Sequence, residues 1–244
     1  MFKKTTVMNN YFDTHTLTSN TASRAAQSSL MRSVYVWMTL ALVITGLTAM
    51  YVAKSMTLIQ LMMENSLFFW GLLLAEVGVV VYLTARIHRM AFSTATVLFI
   101  LYSLLNGVTL SVLFLVYTLS SIATTFFVTA GTFGAMALFG YVTRRDLSRI
   151  GSLCIMGVIG LIIASVVNFF LHNSVVDLVI SCAGVLVFVG LTAYDAQKIK
   201  RLLTAEGMEV NETTQKIALL GAMTLYLDFI NLFIYLLRLL GDRK

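Results

Sequence analysis

The sequence predicts an all-α, polytopic membrane protein, a bundle of seven transmembrane helices. Of its 244 residues, 59% are hydrophobic and only 11% are charged. The mean hydropathy of +0.88 is higher than a soluble core requires. Seven apolar segments also follow one another, each near the ~20 residues that cross a bilayer. Together these observations favour a membrane-embedded bundle over a soluble domain.

Residues 1–31 differ in composition from the rest of the chain. They are rich in Thr, Ser and Asn, and they lack the apolar core of a signal peptide. We expect this stretch to be a disordered or loosely helical cytoplasmic tail. Residues 32–244 then form the seven-helix transmembrane domain.

The apolar segments define the predicted helices. No proline interrupts them, so any break must come from glycine or polar side chains. Helices 3 and 4 are separated only by residues 118–121. In chain order, predicted helices 1 to 7 cover residues 34–53, 67–85, 95–117, 122–142, 151–171, 176–194 and 215–240.

The basic residues predict the orientation of the bundle. The N-terminal side, with the loops after helices 2, 4 and 6, carries thirteen Lys and Arg residues, whereas the other side carries four. Because cytoplasmic loops are enriched in Lys and Arg, we expect a cytoplasmic N-terminus and a C-terminus on the far side.

Small residues in helices 4 and 5 predict close helix packing. Gly131, Gly134 and Gly140 lie in helix 4, and Gly157 and Gly160 lie in helix 5. Small side chains let neighbouring backbones approach each other, and packing is the simpler interpretation than a hinge.

No resident cofactor or metal cluster is predicted. The two cysteines lie in apolar runs and the three histidines are scattered. The longest aqueous loop, between helices 6 and 7, carries Glu206, Glu209 and Glu212. We interpret this loop as a solvated acidic turn, because it lacks the spacing of a calcium-binding loop.

Helix 7 carries a polar stripe. Its members are spaced by four, three, four and three residues, which places them on one face of a helix. A polar stripe in a membrane span is costly, so this face should contact protein or water. The stripe consists of Thr224, Asp228, Asn231, Tyr235 and Arg238.

The ionisable residues within the spans predict two levels of opposite charge. If helices 2 and 7 are neighbours, Glu76 can pair with Arg238 toward the outer side. Arg86 can pair with Asp195 or Asp228 toward the inner side. Buried charges are normally tolerated in such pairs. A purely structural role, fixing helix register, is the alternative.

The two aspartates indicate sensitivity to pH. Two carboxylates in a low-dielectric site resist ionising together, so one of them is expected to hold a proton. Protonation would weaken the hold of Asp195 and Asp228 on Arg86 and could release a helix. Carboxylate oxygens are also ligands for Ca²⁺, but two aspartates fall short of its usual six to eight oxygens. Weak passage of a cation is therefore favoured over tight binding.

Three stretches resemble the Bax inhibitor-1 (transmembrane Bax inhibitor motif) family, in particular its bacterial inner-membrane YccA/YbhL-type branch. They are GLTAYDAQKIK at 190–200, LYLDFINLFIYLLRLLG at 225–241 and TAGTFGAMALFGYVTRRDLS at 129–148. The resemblance covers residues 34–241. It implies seven helices with the last one central, and a pH-sensitive calcium leak.

The resemblance also implies roles for individual residues. Asp195 and Asp228 would form a di-aspartyl sensor, and Arg86 would be latched to it. Glu76 and Arg238 would form a second pair at the pore. Asn231 and Tyr235 lie between these levels on the expected ion path.

The expected function is a pH-gated Ca²⁺ leak in the bacterial inner membrane, with the bilayer, Ca²⁺ and protons as partners. The alternative is a non-transporting modulator that binds a membrane protease or a stress-response protein. We expect no enzyme, because Asp228 lacks the Gly-x-Gly-Asp surroundings of intramembrane aspartyl proteases and no Ser–His pair lies at matching depth. The basic residues lie in short loops, so they do not indicate nucleic-acid binding.

Overall fold

The structure, a computed structural model, describes residues 3–205 and 210–244, with side chains described for 26–62, 64–204 and 210–244. It confirms the helical bundle, because seven helices in the described ranges are long and apolar enough to cross a membrane. The helices are α1 Lys3–Lys54, α2 Met56–Glu64, α3 Ser66–Arg86, α4 Phe92–Leu110, α5 Leu113–Val116, α6 Leu119–Val142, α7 Ser148–Leu171, α8 Ser174–Ala205 and α9 Glu212–Leu240.

Helix α9 lies at the centre of the bundle. In its most apolar stretch 67% of residues are buried, compared with 33% or less in the other six spans. It packs against α8, α1, α6 and α4. A helix surrounded in this way can carry polar groups that lipid would not tolerate. The central last helix is therefore confirmed.

Helix α8 is longer than predicted. The sequence places its end at residue 194, whereas it continues to Ala205. The polar residues of this extension bind the last turn of α6 and the connection from α6 to α7. Gln197 Oε1 accepts a hydrogen bond from the Leu147 N–H at 3.0 Å, and Lys200 Nζ donates to the Tyr141 carbonyl at 2.8 Å. Asp195 therefore lies well inside a helix, and the predicted end of helix 6 at residue 194, which left Asp195 just beyond it, is wrong.

Two short helices were not predicted. Helix α2 is too short to cross a bilayer, and its Ile59 and Met62 form a small separate core with Val52 and Leu72. Predicted helix 3 breaks after Leu110, and α5 follows. The Ser111 hydroxyl donates to the Val108 carbonyl at 2.6 Å. Such local side-chain bonds compete with helical hydrogen bonding.

Two predictions concern the starts of long helices: the N-terminal tail at α1 and the acidic loop before α9. Helix α1 begins at Lys3, so it runs through the predicted tail, and the division at residue 31 stays a prediction. Glu206 and Glu209 of the acidic loop lie outside the described residues. Glu212 begins α9, pairs with Lys216 at 2.9 Å and accepts the Phe92 N–H at 3.3 Å.

Asp146 closes the turn between α6 and α7. Its Oδ1 accepts hydrogen bonds from the Ser148 hydroxyl at 2.7 Å and from the Ser148 N–H at 3.0 Å. Arg201 Nη1 lies 3.0 Å from the same oxygen. These donors, with the Ser148 hydroxyl contributing most, lower the pKa of Asp146 from 3.8 to about 2.

The lowered pKa of Asp146 predicts a pH-dependent contribution to stability. The charged carboxylate is favoured in the folded state, so its contribution is present above pH 3.8 and is lost as pH falls through about 2. The Asp146→Asn variant should therefore unfold at a lower temperature than the parent above this window. The difference should be small, because the group is exposed, and it should shrink as pH falls. Melting curves over a pH series measure it, and a difference that stays constant through the window contradicts the prediction.

Candidate functional site

The polar stripe of α9 faces α8. The two helices run antiparallel, and three of the five residues of the stripe contact residues of α8. Three contacts follow the seam: the carboxyl groups of Asp228 and Asp195 approach to hydrogen-bonding distance, the Tyr235 ring stacks on Phe188 with centroids 5.8 Å apart, and Arg238 Nη1 lies 3.6 Å from Asp177 Oδ1. The expectation that this face contacts protein is confirmed.

The aspartate pair is buried in the bundle. Asp195 is 8% exposed and Asp228 is 4% exposed. A hydrogen bond between two carboxyl groups requires a proton on one of them, since a carboxylate only accepts. Asp228 Oδ2 is also buried, and no described residue forms a hydrogen bond with it. The two buried carboxyl groups are therefore adjacent, and a proton shared between them would satisfy their contact.

Two side chains near the aspartate pair were missed by the sequence analysis. Lys198 interacts electrostatically with Asp195, and its Nζ lies 5.8 Å from the Tyr194 ring centroid. Its spacing of three residues from Asp195 on a helix could have indicated this contact. Cys154 of α7 lies near both aspartates. No sequence signal indicated its position, because it lies on a different helix in an apolar run.

Arg86 does not contact the aspartate pair in this structure. Its side chain is exposed at the end of α3. The ion pairs among the described side chains are Arg201–Asp146, Lys216–Glu212 and Arg238–Asp177, and none involves Arg86. However, the 3-10 turn Ile87–Arg89 that follows Arg86 packs against α9. The latch role of Arg86 stays a prediction, and the neighbouring turn keeps it close to the central helix.

The predicted pair between Glu76 and Arg238 is not formed. Glu76 accepts hydrogen bonds from Asn106 Nδ2 at 3.3 Å and from the Thr109 hydroxyl. Arg238 instead pairs with Asp177 and lies over the Tyr235 ring, 5.7 Å from its centroid. The physical reason is the packing order: α3 packs chiefly on α4, whereas α9 packs chiefly on α8.

The two residues expected on the ion path have local contacts. Asn231 Nδ2 donates to the Leu227 carbonyl one turn earlier at 2.8 Å. The Tyr235 ring lies against Gly184, where an added Cβ would be 2.6 Å from the ring. Their role as pore-lining residues stays a prediction.

The residues present offer limited ligands for a metal ion. Within the described side chains, no group of three or more His, Cys, Asp or Glu residues could hold one. Asp195 and Asp228 together supply at most four carboxylate oxygens, which is fewer than Ca²⁺ usually takes. Weak Ca²⁺ binding at the pair stays a prediction.

Comparison with known proteins identifies the family. The family model described as inhibitor of apoptosis-promoting Bax1 matches residues 27–244. The chain belongs to the Bax inhibitor family. Inner membrane protein YbhL of Escherichia coli strain K12 is 47% identical over 223 residues, which cover 91% of this chain and 94% of that protein.

Other relatives of this Bax inhibitor family member extend over nearly the whole chain. An uncharacterized protein of Rickettsia prowazekii is 44% identical over 234 residues, covering 95% of this chain and 98% of that protein. One of Borreliella burgdorferi is 41% identical over 218 residues, covering 89% and 94% respectively. With seven helices able to span a bilayer and an inner-membrane relative, the chain is a multi-pass inner-membrane protein.

Proposed function

We propose that this protein is a pH-sensitive cation leak, with Ca²⁺ as the ion, across the cytoplasmic membrane. The observation that carries this proposal is the contact between Asp195 and Asp228. Both carboxyl groups are buried, and they join α8 to the central helix α9. A buried ionisable group in a membrane span is a functional-site hypothesis by default.

A proton at the aspartate pair supplies the gating step. With one proton shared, the pair carries at most one negative charge, and Arg86 remains in solvent. Loss of that proton adds negative charge within a buried site, which attracts the guanidinium of Arg86 from the end of α3. An ion pair formed there would tie α3 to α9 and close the path, so flux should rise as pH falls.

The ligand chemistry supports a cation rather than an anion. Carboxylate oxygens are hard ligands of the kind that Ca²⁺ prefers, and Asp228 Oδ2 has no hydrogen-bond partner within the described part of the chain. The small ligand number favours weak binding, which lets an ion leave as readily as it enters. The excess of basic residues on one side supports a cytoplasmic N-terminus and a C-terminus on the opposite side.

Ca²⁺ flux into proteoliposomes across a pH series tests this function. The parent should show an increase on the order of tenfold from alkaline to mildly acidic pH, the usual size of a coupling free energy of about 1–3 kcal/mol. Asp195→Asn and Asp228→Asn mimic the protonated group. Each should therefore give flux that stays high and no longer depends on pH.

Asp146→Asn is the matched control, because the same substitution at an exposed turn should leave the pH dependence intact. Unchanged pH dependence in both variants of the pair contradicts the sensor. No flux above protein-free vesicles contradicts the leak itself. In that case, co-purification of a membrane protease or another membrane protein would support the modulator alternative.

A further inference from the structure

A second buried polar cluster lies apart from the aspartate pair. It joins four helices, α1, α3, α4 and α9, and its centre is Asn106. Asn106 Nδ2 donates to Glu76 Oε2 at 3.3 Å, and the Tyr226 hydroxyl donates to Asn106 Oδ1 at 3.1 Å. The Tyr226 hydroxyl also lies 2.7 Å from the Thr45 hydroxyl, which in turn lies 2.9 Å from the Ser103 carbonyl.

Glu76 has no positive partner in this cluster. It is 8% exposed, and no ion pair among the described side chains includes it. The titratable groups that face it are Tyr102 of α4 and Tyr226 of α9. On α2, Glu64 is exposed and bonded to Gln60 at 2.8 Å. The basic turn Ile87–Arg89 begins about 15 Å further along α3.

With these donors and acceptors, the cluster has too few hydroxyl hydrogens to supply one for every close contact between its oxygen atoms. Each hydroxyl has one proton to donate. Tyr226 uses its proton on Asn106, so Thr45 can serve either Tyr226 or Ser103, but not both. One close oxygen–oxygen contact is left without a donor.

Rotating the Asn106 amide by half a turn exchanges Nδ2 and Oδ1. Every close contact from Asn106 to the Ser103 carbonyl then has a donor. Nδ2 then donates to Tyr226, Tyr226 donates to Thr45, and Thr45 donates to the Ser103 carbonyl. Asn106 Oδ1 now faces Glu76 Oε2, and two acceptors can be neighbours only with a positive ion between them. The Thr109 hydroxyl contacts the other oxygen of the same carboxyl group, Glu76 Oε1.

We propose that Glu76, Asn106 and Thr109 form a binding site for one singly charged cation, a proton or Na⁺, separate from the aspartate pair. One carboxylate is neutralised by one positive charge, whereas a divalent ion would leave a net charge buried in the membrane. The other ligands are neutral oxygens, which suit a hard cation. Occupancy is coupled through Asn106 to the bond between Tyr226 of the central helix and Thr45 of α1.

The test uses the full chain with Asp195→Asn and Asp228→Asn, so that the aspartate pair cannot respond and no ion flux is needed. The melting temperature in detergent is measured as Na⁺ replaces a bulky cation at constant ionic strength, and separately over a pH series without Na⁺. Bound cation stabilises the folded state by mass action. We expect a rise of about 2–4 °C in the arm whose ion binds.

Adding Glu76→Gln should abolish this rise, whereas Glu64→Gln, at an exposed carboxylate, should preserve it. Thr109→Val keeps the charge and removes one ligand oxygen, so it should move the midpoint of the responding titration. If the ion is a proton, the infrared band of a protonated carboxyl should be present in the parent of this series and absent after Glu76→Gln. Equal responses in the Glu76 and Glu64 variants, with no midpoint change in Thr109→Val, overturn the proposal. If the Glu76→Gln variant does not fold, the Thr109→Val midpoint and the infrared band of the parent decide.

Discussion

Gly140→Ala is expected to destabilise the bundle by about 1–3 kcal/mol, the cost of overpacking a close helix contact. A Cβ at this position would lie 2.7 Å from the carbonyl carbon of Ala193, and still closer to its oxygen. These are backbone atoms of α8, so they cannot turn aside as a flexible side chain can. The melting temperature in detergent should fall by about 2–4 °C for each kcal/mol.

Gly131→Ala is the matched control on the same helix. Beyond the adjoining backbone of α6, no described residue lies within 4 Å of a Cβ added at Gly131, and alanine favours a helix over glycine by about 0.5–1 kcal/mol. This variant should be as stable as the parent or slightly more stable. Equal melting temperatures for the two variants would show that α6 and α8 can separate without cost. Because Ala193 lies two residues before Asp195, Gly140→Ala should also alter the pH dependence of Ca²⁺ flux.

The two glycines show what a sequence pattern can and cannot predict about helix packing. Both lie in the same predicted helix and both suggested close packing, yet only Gly140 meets another backbone. Hydropathy identifies which segments enter the bilayer, because each must satisfy its own backbone hydrogen bonds. It does not identify which helices become neighbours. The extension of α8 escaped prediction because Gln197 and Lys200 look like loop residues until their backbone partners in another turn are known.

In the candidate site, too, the sequence indicates where a residue lies along its helix but not which residues of other helices it contacts. The spacing of the α9 stripe correctly predicts a protein-facing seam, since helical periodicity is a local property. The partner of Arg238 was predicted wrongly, because residues at equal depth are not necessarily adjacent. Glu76 lies on α3, which packs on α4, and Asp177 of α8 is the acid that Arg238 meets. The aspartate contact could be expected from the family resemblance, whereas no sequence motif indicates the Asn106 cluster.

Asp228→Asn is expected to raise the stability of the protein at alkaline pH, on the order of the 1–4 kcal/mol gained when a buried ion pair is replaced by uncharged side chains of similar volume. In the parent, the two adjacent buried carboxyl groups must then either keep a shared proton although protons are scarce, or carry two negative charges, of which Arg86 can neutralise only one. Asparagine removes the charge, and its amide can donate to Asp195. As pH falls, protons become available to the parent pair, so the difference in melting temperature should shrink.

Asp177→Asn is the control for the Asp228→Asn prediction. It removes the acid of the partly exposed ion pair with Arg238, and such pairs contribute about 0–1 kcal/mol. The same substitution should therefore leave stability unchanged or lower it slightly at Asp177, and raise it at Asp228. A loss of stability in Asp228→Asn at every pH would indicate that the aspartate contact is a structural hydrogen bond. A gain in stability together with pH-independent flux would mean that the fold carries an unfavourable group at its centre for the sake of gating, the compromise common at functional sites.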